Sequence, residues 1–353
     1  MHNKINIFAE EDALVRLGAN NEFKNGRLLK YILQNRANIF LIMDKEKFNA
    51  AWTDPESRLR KFCQAYDLSK PCCKTELTQI YKRPALCYQL DPYAIWLFNR
   101  SDSEVNKFRN YLGVWAINPS KLTDNFFYLH HTKEYDRNDI INGSHDNGWG
   151  NFLEQVPTTI PPMNSIVLND RFLMFKTNEK TAEQKGFSGL NNLKVLLNEI
   201  LPQHLKIPFH LLIYCQHPNL SIETTDIIVK KYIEEVKALR DYTIIIEFVY
   251  AVARHKRAFY SNYFLFEADR GFNAFKNYKR KHLSGENDFG IFGYLCDPET
   301  SGDTKFQIAR SKISKIKTEC YDIYKNPNKR NSDNDKISRI QTDCKDSFFN
   351  RLF

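Results

Sequence analysis

No apolar run in the 353 residues approaches the roughly 20 needed to cross a bilayer. The strongest, Thr243 to Ala253, is short and carries Glu247. Met1 to Glu11 lacks a basic region followed by an apolar one, so the expected location is the cytoplasm, with no membrane partner. None of the 8 cysteines is spaced C-x-x-C. Cys63, Cys72, Cys73 and Cys87 share one segment, but the adjacent Cys72 and Cys73 are poor joint ligands for one ion, so reduced thiols and no metal are expected. A G-x-x-x-x-G-K-[ST] loop is missing, which excludes nucleotide hydrolysis of that type, and so is a G-x-S-x-G elbow. No cofactor is expected.

Aromatic residues, by contrast, are plentiful: 26 Phe and 18 Tyr make disorder untenable, because bulky apolar groups offset ordering entropy. The net charge of +9 is concentrated. Arg254, Lys256, Arg257, Arg270, Lys276, Lys279, Arg280 and Lys281 face only Glu267 and Asp269, while Lys305 to Arg330 is a second basic segment. The first is interleaved with Phe259, Tyr260, Tyr263, Phe264, Phe272, Phe275 and Tyr278. Cations neutralise phosphates and rings stack on bases, so the combination suits a nucleic-acid groove. The plainer alternative is that the rings alternate into a core while the bases keep the surface soluble.

Apolar periodicity predicts an α/β fold of two lobes with mostly parallel, mixed sheets. Residues 1–125 form the first lobe, with strands near Asn38–Met43, Tyr93–Phe98 and Val114–Ile117. A helix follows Ser101, whose pairing with Glu104 makes a capping box. Residues 126–160, dense in Asn, Asp, Gly and Pro, read as a turn-rich connection. Residues 161–300 form the second lobe. It opens with a strand pair at Ser165–Leu168 and Phe172–Phe175. Strands at Phe209–Cys215, Thr243–Ala251 and Ala258–Phe266 follow, with helices at Gly189–Leu201 and Glu223–Leu239. Ile227, Ile228, Tyr232, Val236 and Leu239 would line one side of the second helix. Residues 301–353 are a basic helical tail.

One stretch carries candidate chemistry. Residues two apart on a strand share a face, so His255 and Arg257 would point into one cleft, with Asn262 and then Gly271-Phe272-Asn273 further on. This pattern resembles the phospholipase-D-like superfamily, whose signature is H-x-K, four residues, D, and then G-S-x-N. The likeness covers this stretch and the crossover unit before it, not the full chain. It implies that His255 stands in the place of the nucleophile toward a phosphodiester, Arg257 in the phosphate-gripping place and Asn262 in the carboxylate place. Gly271 and Asn273 match the small-residue turn, with Phe272 replacing the hydroxyl residue. Arg keeps the charge and adds a fork suited to phosphate. Asn loses the charge that would support a cationic His, so the pattern is closer to the non-catalytic branch, which includes the domain closing some microtubule-interacting-and-transport proteins.

The resulting expectation is a protein binding DNA or RNA through Arg254, Lys256, Arg257, Tyr260, Tyr263, Arg270, Phe272, Asn273, Lys276, Lys279, Arg280 and Lys281. The rivals are a metal-independent phosphodiesterase or nuclease acting through His255, Arg257 and Asn262, and a scaffold for an acidic partner. A homodimer or a partner protein fits either. A second match at His131, Lys133 and Asn138 falls where no strand is expected and reads as coincidence. Asp44, Asp91 and Asp102, near first-lobe strand ends, suggest solvated turns over a metal-dependent nuclease. Trp149 suits a binding loop or a packed anchor equally. Abundant Phe, Asn and Lys with scarce Gly suggests a bacterial chromosome of low GC content, where a role in antiviral defence is plausible.

Overall fold

A computed structural model of the chain describes residues 4–19, 26–119, 130–135, 143–156, 160–174, 188–218, 220–251, 257–276, 282–283, 287–295, 303–326, 338–342 and 350–353. The chain is α/β. Strands β1 (Ile5–Ala9), β2 (Ala37–Leu41), β3 (Cys72–Cys73), β4 (Ile95–Leu97) and β5 (Trp115–Ile117) form a parallel sheet in the order β3-β2-β1-β4-β5. Helices pack against it, which is why β4 is apolar and buried at every position. β1, the central strand, has no counterpart among the expected strands.

The capping box at Ser101 is present: the Glu104 N–H donates to Ser101 Oγ at 3.4 Å, and the Ser101 N–H donates to Glu104 Oε2 at 3.3 Å. Its helix, Asp102–Leu112, stops at Gly113, which adopts φ +57°. A Cβ at Gly113 would lie 2.3 Å from the Met163 carbonyl oxygen, so the left-handed turn and a close chain approach both require glycine.

The second sheet has eight strands. They are β6 (His130–Glu134), β7 (Ser165–Asn169), β8 (Phe209–Cys215), β9 (Ile244–Tyr250), β10 (Ala258–Ser261), β11 (Phe264–Ala268), β14 (Asp288–Gly293) and β15 (Arg339–Thr342). The short β12 (Phe275–Lys276) and β13 (His282–Leu283) pair apart from it. The order is β15-β9-β8-β7-β10-β11-β14-β6, with β7, β8 and β9 parallel and every other pairing antiparallel. Helices Ser188–Ile200 and Ile222–Lys237 connect the parallel strands. A long helix, Lys305–Lys325, buries Ile313, Ile316 and Cys320.

Several expectations need correction. The stretch read as a connection supplies edge strand β6 and a helix, Gly148–Glu154, whose Trp149 and Phe152 are buried in the second sheet's core. His131 is therefore on a strand after all, while Asn138 lies outside the described residues. Residues 171–174 form turns instead of a second strand, because the Asp170 carboxylate accepts the Phe172 N–H at 3.0 Å. Ile227 is 71% exposed; its helix instead buries Thr225, Val229, Tyr232, Ile233 and Val236.

One apolar cluster joins Ile7, Leu41, Ile95 and Trp115 of the first sheet to Val167, Leu212, Tyr260 and Leu265 of the second, with Ile313 and Ile316 of the long helix. The hairpin turn between β10 and β11 fastens this junction. Asn262 is fully buried: its Oδ1 accepts from the backbone N–H groups of Asn164 and Ser165 at 2.9 and 3.1 Å. Its Nδ2 donates to Pro92 O at 2.7 Å and to Asn164 Oδ1 at 3.0 Å. The Tyr263 hydroxyl donates to Ala94 O at 3.0 Å and accepts from the Trp115 N–H at 2.9 Å. Neither turn residue has a positive φ, unlike the mirror-image turns that two-residue hairpins favour, and the Ser261 hydroxyl holds the bend by accepting from Tyr263 N and Phe264 N. Among the described residues, no helix is long and apolar enough to cross a membrane.

Two stability predictions follow from burial. Asn262→Ala strands three backbone partners and costs about 3 kcal/mol, read as a lower urea midpoint at unchanged m-value; a loss under about 1 kcal/mol would contradict the pin. Glu247, 2% exposed on β9, has its carboxyl pushed by burial from 4.5 up to about 7. The folded state therefore holds a proton that the unfolded chain releases. That stability is complete below pH 4.5 and is lost as pH rises through about 7. Glu247→Gln should flatten this decline and be the more stable form at pH 8 by roughly 3 kcal/mol.

Candidate functional site

In an open α/β sheet, ligand groups collect beyond the carboxyl ends of parallel strands. β7, β8 and β9 end at Asn169, Cys215 and Tyr250. Antiparallel β10 starts there, with Ala258 opposite Asn169, so Arg257 arrives beside Asp170. Asp170 is 1% exposed. Its Oδ2 accepts the Phe272 N–H at 2.9 Å while its Oδ1 takes Phe172. Burial raises its carboxyl above the usual range, against the pull of these two amides and of the Arg257 guanidinium.

Gly271, at φ +92°, faces both groups: a Cβ there would stand 2.7 Å from Asp170 Oδ2 and 2.8 Å from Arg257 Cδ. The Arg257 Nη1 donates to the Asp269 carbonyl oxygen, and its Nε is buried without a hydrogen-bond partner. The guanidinium carbons of Arg257 and Arg171 lie 5.0 and 5.5 Å from the centre of the half-buried Phe172 ring. Arg171 is held by a 2.8 Å bond from its Nε to Gln216 Oε1.

The second basic segment reaches the same end from the sheet's other face. Lys312 and Lys315 of the long helix line a small cavity with Asn169, Tyr214, Tyr260, Ile316 and Glu319. Three other cations of that helix make contacts of their own. Lys305 pairs with Glu267 at 3.5 Å, Arg310 covers the Tyr93 ring, and Lys317 donates to Phe353 O at 2.7 Å.

Of the residues singled out from sequence, Arg257 and Gly271 come together, and Asp170, Arg171 and Phe172 join them. Asp170 and Arg171 fall between the two strands expected at Ser165–Leu168 and Phe172–Phe175, and Phe172 at the start of the second; the signal missed is a carboxylate at a strand's C-terminal end. Asn262 stands at the other end of its hairpin strand, fully buried in the junction, which corrects its assignment to a carboxylate's place. Tyr260, Tyr263 and Phe272 are 2%, 1% and 0% exposed, so their rings belong to the core and offer no stacking face. Asn273 accepts from the buried Asn192 at 3.2 Å. Arg270 is exposed on the turn after β11. Arg254, His255, Lys256, Lys279, Arg280 and Lys281 lie outside the described residues, as does the side chain of Lys276.

Trp149, packed edge-on against Phe266 and Phe275, is an anchor in the core. Asp91 accepts from Asn6 Nδ2 and the Tyr93 N–H, Asp44 pairs with Lys47, and Asp102 accepts from Asn118. Cys63 and Cys87 are buried in separate apolar clusters. Among the described residues no three His, Cys, Asp or Glu side chains form a group able to hold a metal ion. Compared with known proteins, the chain matches no family model and no curated protein.

Gly271→Ala must displace Asp170 or Arg257 and strain the backbone. Thermal unfolding should show a loss of about 2 kcal/mol or more, and an unchanged melting temperature would contradict this packing.

Proposed function

We propose that the carboxyl end of strands β7–β9 binds a polyanion, with nucleic acid as the class that fits. The observation that carries this reading is the convergence on Asn169-Asp170 of cations from two separate basic segments, Arg257 from one and Lys312 and Lys315 from the other. Arg171 adds a third source. Asp170, whose charge would oppose a phosphate, has both oxygens on backbone amides. In sequence, Arg254-His255-Lys256 leads directly into Arg257.

The direction of approach is limited by acidic groups. A groove of about 370 Å³ on the other side of Arg257 is bordered by Glu267, Asp269 and Asp288, which would repel phosphates. A strand therefore passes over Phe172, where a guanidinium-backed ring can take a base while the cations take phosphates. Asn262, which stands in the carboxylate place of the motif, carries no charge and is spent on the hairpin turn. That favours binding over phosphodiester cleavage.

The test is fluorescence anisotropy with single-stranded and duplex DNA and RNA. Affinity should fall log-linearly with salt, and Arg257→Ala should weaken binding about tenfold and lower the salt slope by about 1. No binding to any of these at low salt would overturn the reading in favour of a protein partner. Chelator-insensitive cutting abolished by His255→Ala would replace it with the enzyme.

A further inference from the structure

Glu247 stands in the middle of β9, on the face of the sheet that the long helix covers. It is paired with Leu212 of β8 on one side and Thr342 of β15 on the other, and it is 2% exposed. Leu212 and Val249, which share its face, belong to one apolar cluster with Ile313, Ile316, Cys320 and Ile323 of the helix. Oε1 of Glu247 is buried without a hydrogen-bond partner. Few buried polar atoms are left in that state, and an ionised carboxylate bears it far worse than a neutral carboxyl.

Each element packed on this face can be checked for a charge that would relieve it. The helix presents Cys320, fully buried, whose thiol is pushed up by burial and then by the charges of Glu247 and Glu319. Glu319 accepts a hydrogen bond from the Tyr214 hydroxyl of β8. His210, further back on β8, stands opposite Ile245 with its Nε2 3.4 Å from the Tyr88 hydroxyl. On β15, Arg339 lies opposite Tyr250 on the other face of the sheet and pairs with Asp226 at 2.6 Å. Lys317 donates to Phe353 O, and Lys312 and Lys315 line the cavity at the strand ends. Among the described residues, no ion pair or hydrogen bond reaches the Glu247 carboxyl.

We propose that Glu247 is a pH-sensitive latch for the long helix: protonated, it lets the helix lie closed on the sheet, and ionised, it makes that helix open locally. The helix is the element that yields because side-chain packing alone holds it to this face, whereas β8, β9 and β15 are joined by backbone ladders. Its opening admits water to the carboxylate. Burial pushes the carboxyl from 4.5 up to about 7, while in the opened state it ionises in the ordinary range. Closure therefore weakens as pH rises from 4.5 and levels off above about 7. The same helix carries Lys312 and Lys315, so the latch acts on the strand ends they border.

The experiment is amide hydrogen exchange of the full chain, read by mass spectrometry between about pH 5 and 8 and corrected for intrinsic rates. Opening of peptides from Lys305–Lys325 should rise roughly tenfold per pH unit up to about 7 and then level. At each pH it should exceed the opening of β8 and β9 peptides by about tenfold or more. Glu247→Gln, of nearly the same shape, should show no such rise in the helix. Helix opening that ignores pH, or that rises equally in Glu247→Gln, overturns the proposal. Equal opening of helix and strands also overturns it, because the whole fold then carries the effect. Alkylation of the wild type gives a reading that needs no variant: Cys320 should react faster than the equally buried Cys215 of β8, and its rate relative to the exposed Cys72 should climb over the same pH range. Equal rates for the two buried thiols, or a constant ratio to Cys72, contradict the latch.

Discussion

The hairpin turn at Asn262-Tyr263 fixes the geometry on which everything else depends. Its two side chains bond to the start of β7 and to backbone groups around β4 and β5, so a single bend joins both sheets. Because β10 runs back from that pin antiparallel to β7, its far end must lie at the carboxyl end of β7. Arg257 is thereby delivered to Asp170 by strand length and register, without a loop having to place it. Burying a fully bonded amide between two layers is costly to disturb, and such a network specifies one arrangement of the sheets over its alternatives.

At the far end the logic is electrostatic. Asp170 would be an obstacle to an anionic ligand, yet it is what organises the turn: its two oxygens seize the Phe172 and Phe272 amides, and Gly271 makes room for it against Arg257. The Asp170 carboxyl and the Arg257 guanidinium offset one another, and Arg171 over the Phe172 ring adds a further cation. The long helix brings Lys312 and Lys315 to the same strand ends, where they line a cavity with Asn169. Its cations are sorted by side, with Arg310 and Lys317 turned toward rings and a backbone carbonyl elsewhere, and Lys312 and Lys315 toward the strand ends.

Much of this was legible in the residues themselves where the determinants are local. The capping box at Ser101 and Glu104, the strand Phe209–Cys215 and the helix near Gly189 follow from caps and from apolar spacing within one element. What escaped is non-local. Both faces of the second sheet are covered, so alternation in Ala258–Phe266 could not tell which rings were sealed in, and Tyr260, Tyr263 and Phe272 proved to be core. Phe172 is the exception: Asp170, two residues back, takes its N–H in a local turn that the apolar spacing does not reveal. Asn262 matched a motif by spacing while its side chain serves the junction. The positive charge at Arg257 was visible from composition; the placement of Lys312 and Lys315 beside Asn169 depends on a helix crossing the sheet, which no local pattern encodes.

Photo-crosslinking of a bound strand, read by mass spectrometry, tests the central claim most directly. Contacts on both the Arg171–Phe172 peptide and the Lys312–Lys315 peptide are expected from one bound molecule, because these segments border the same strand ends from opposite faces. Crosslinks confined to the first sheet, or to the groove bordered by Glu267, Asp269 and Asp288, would contradict it.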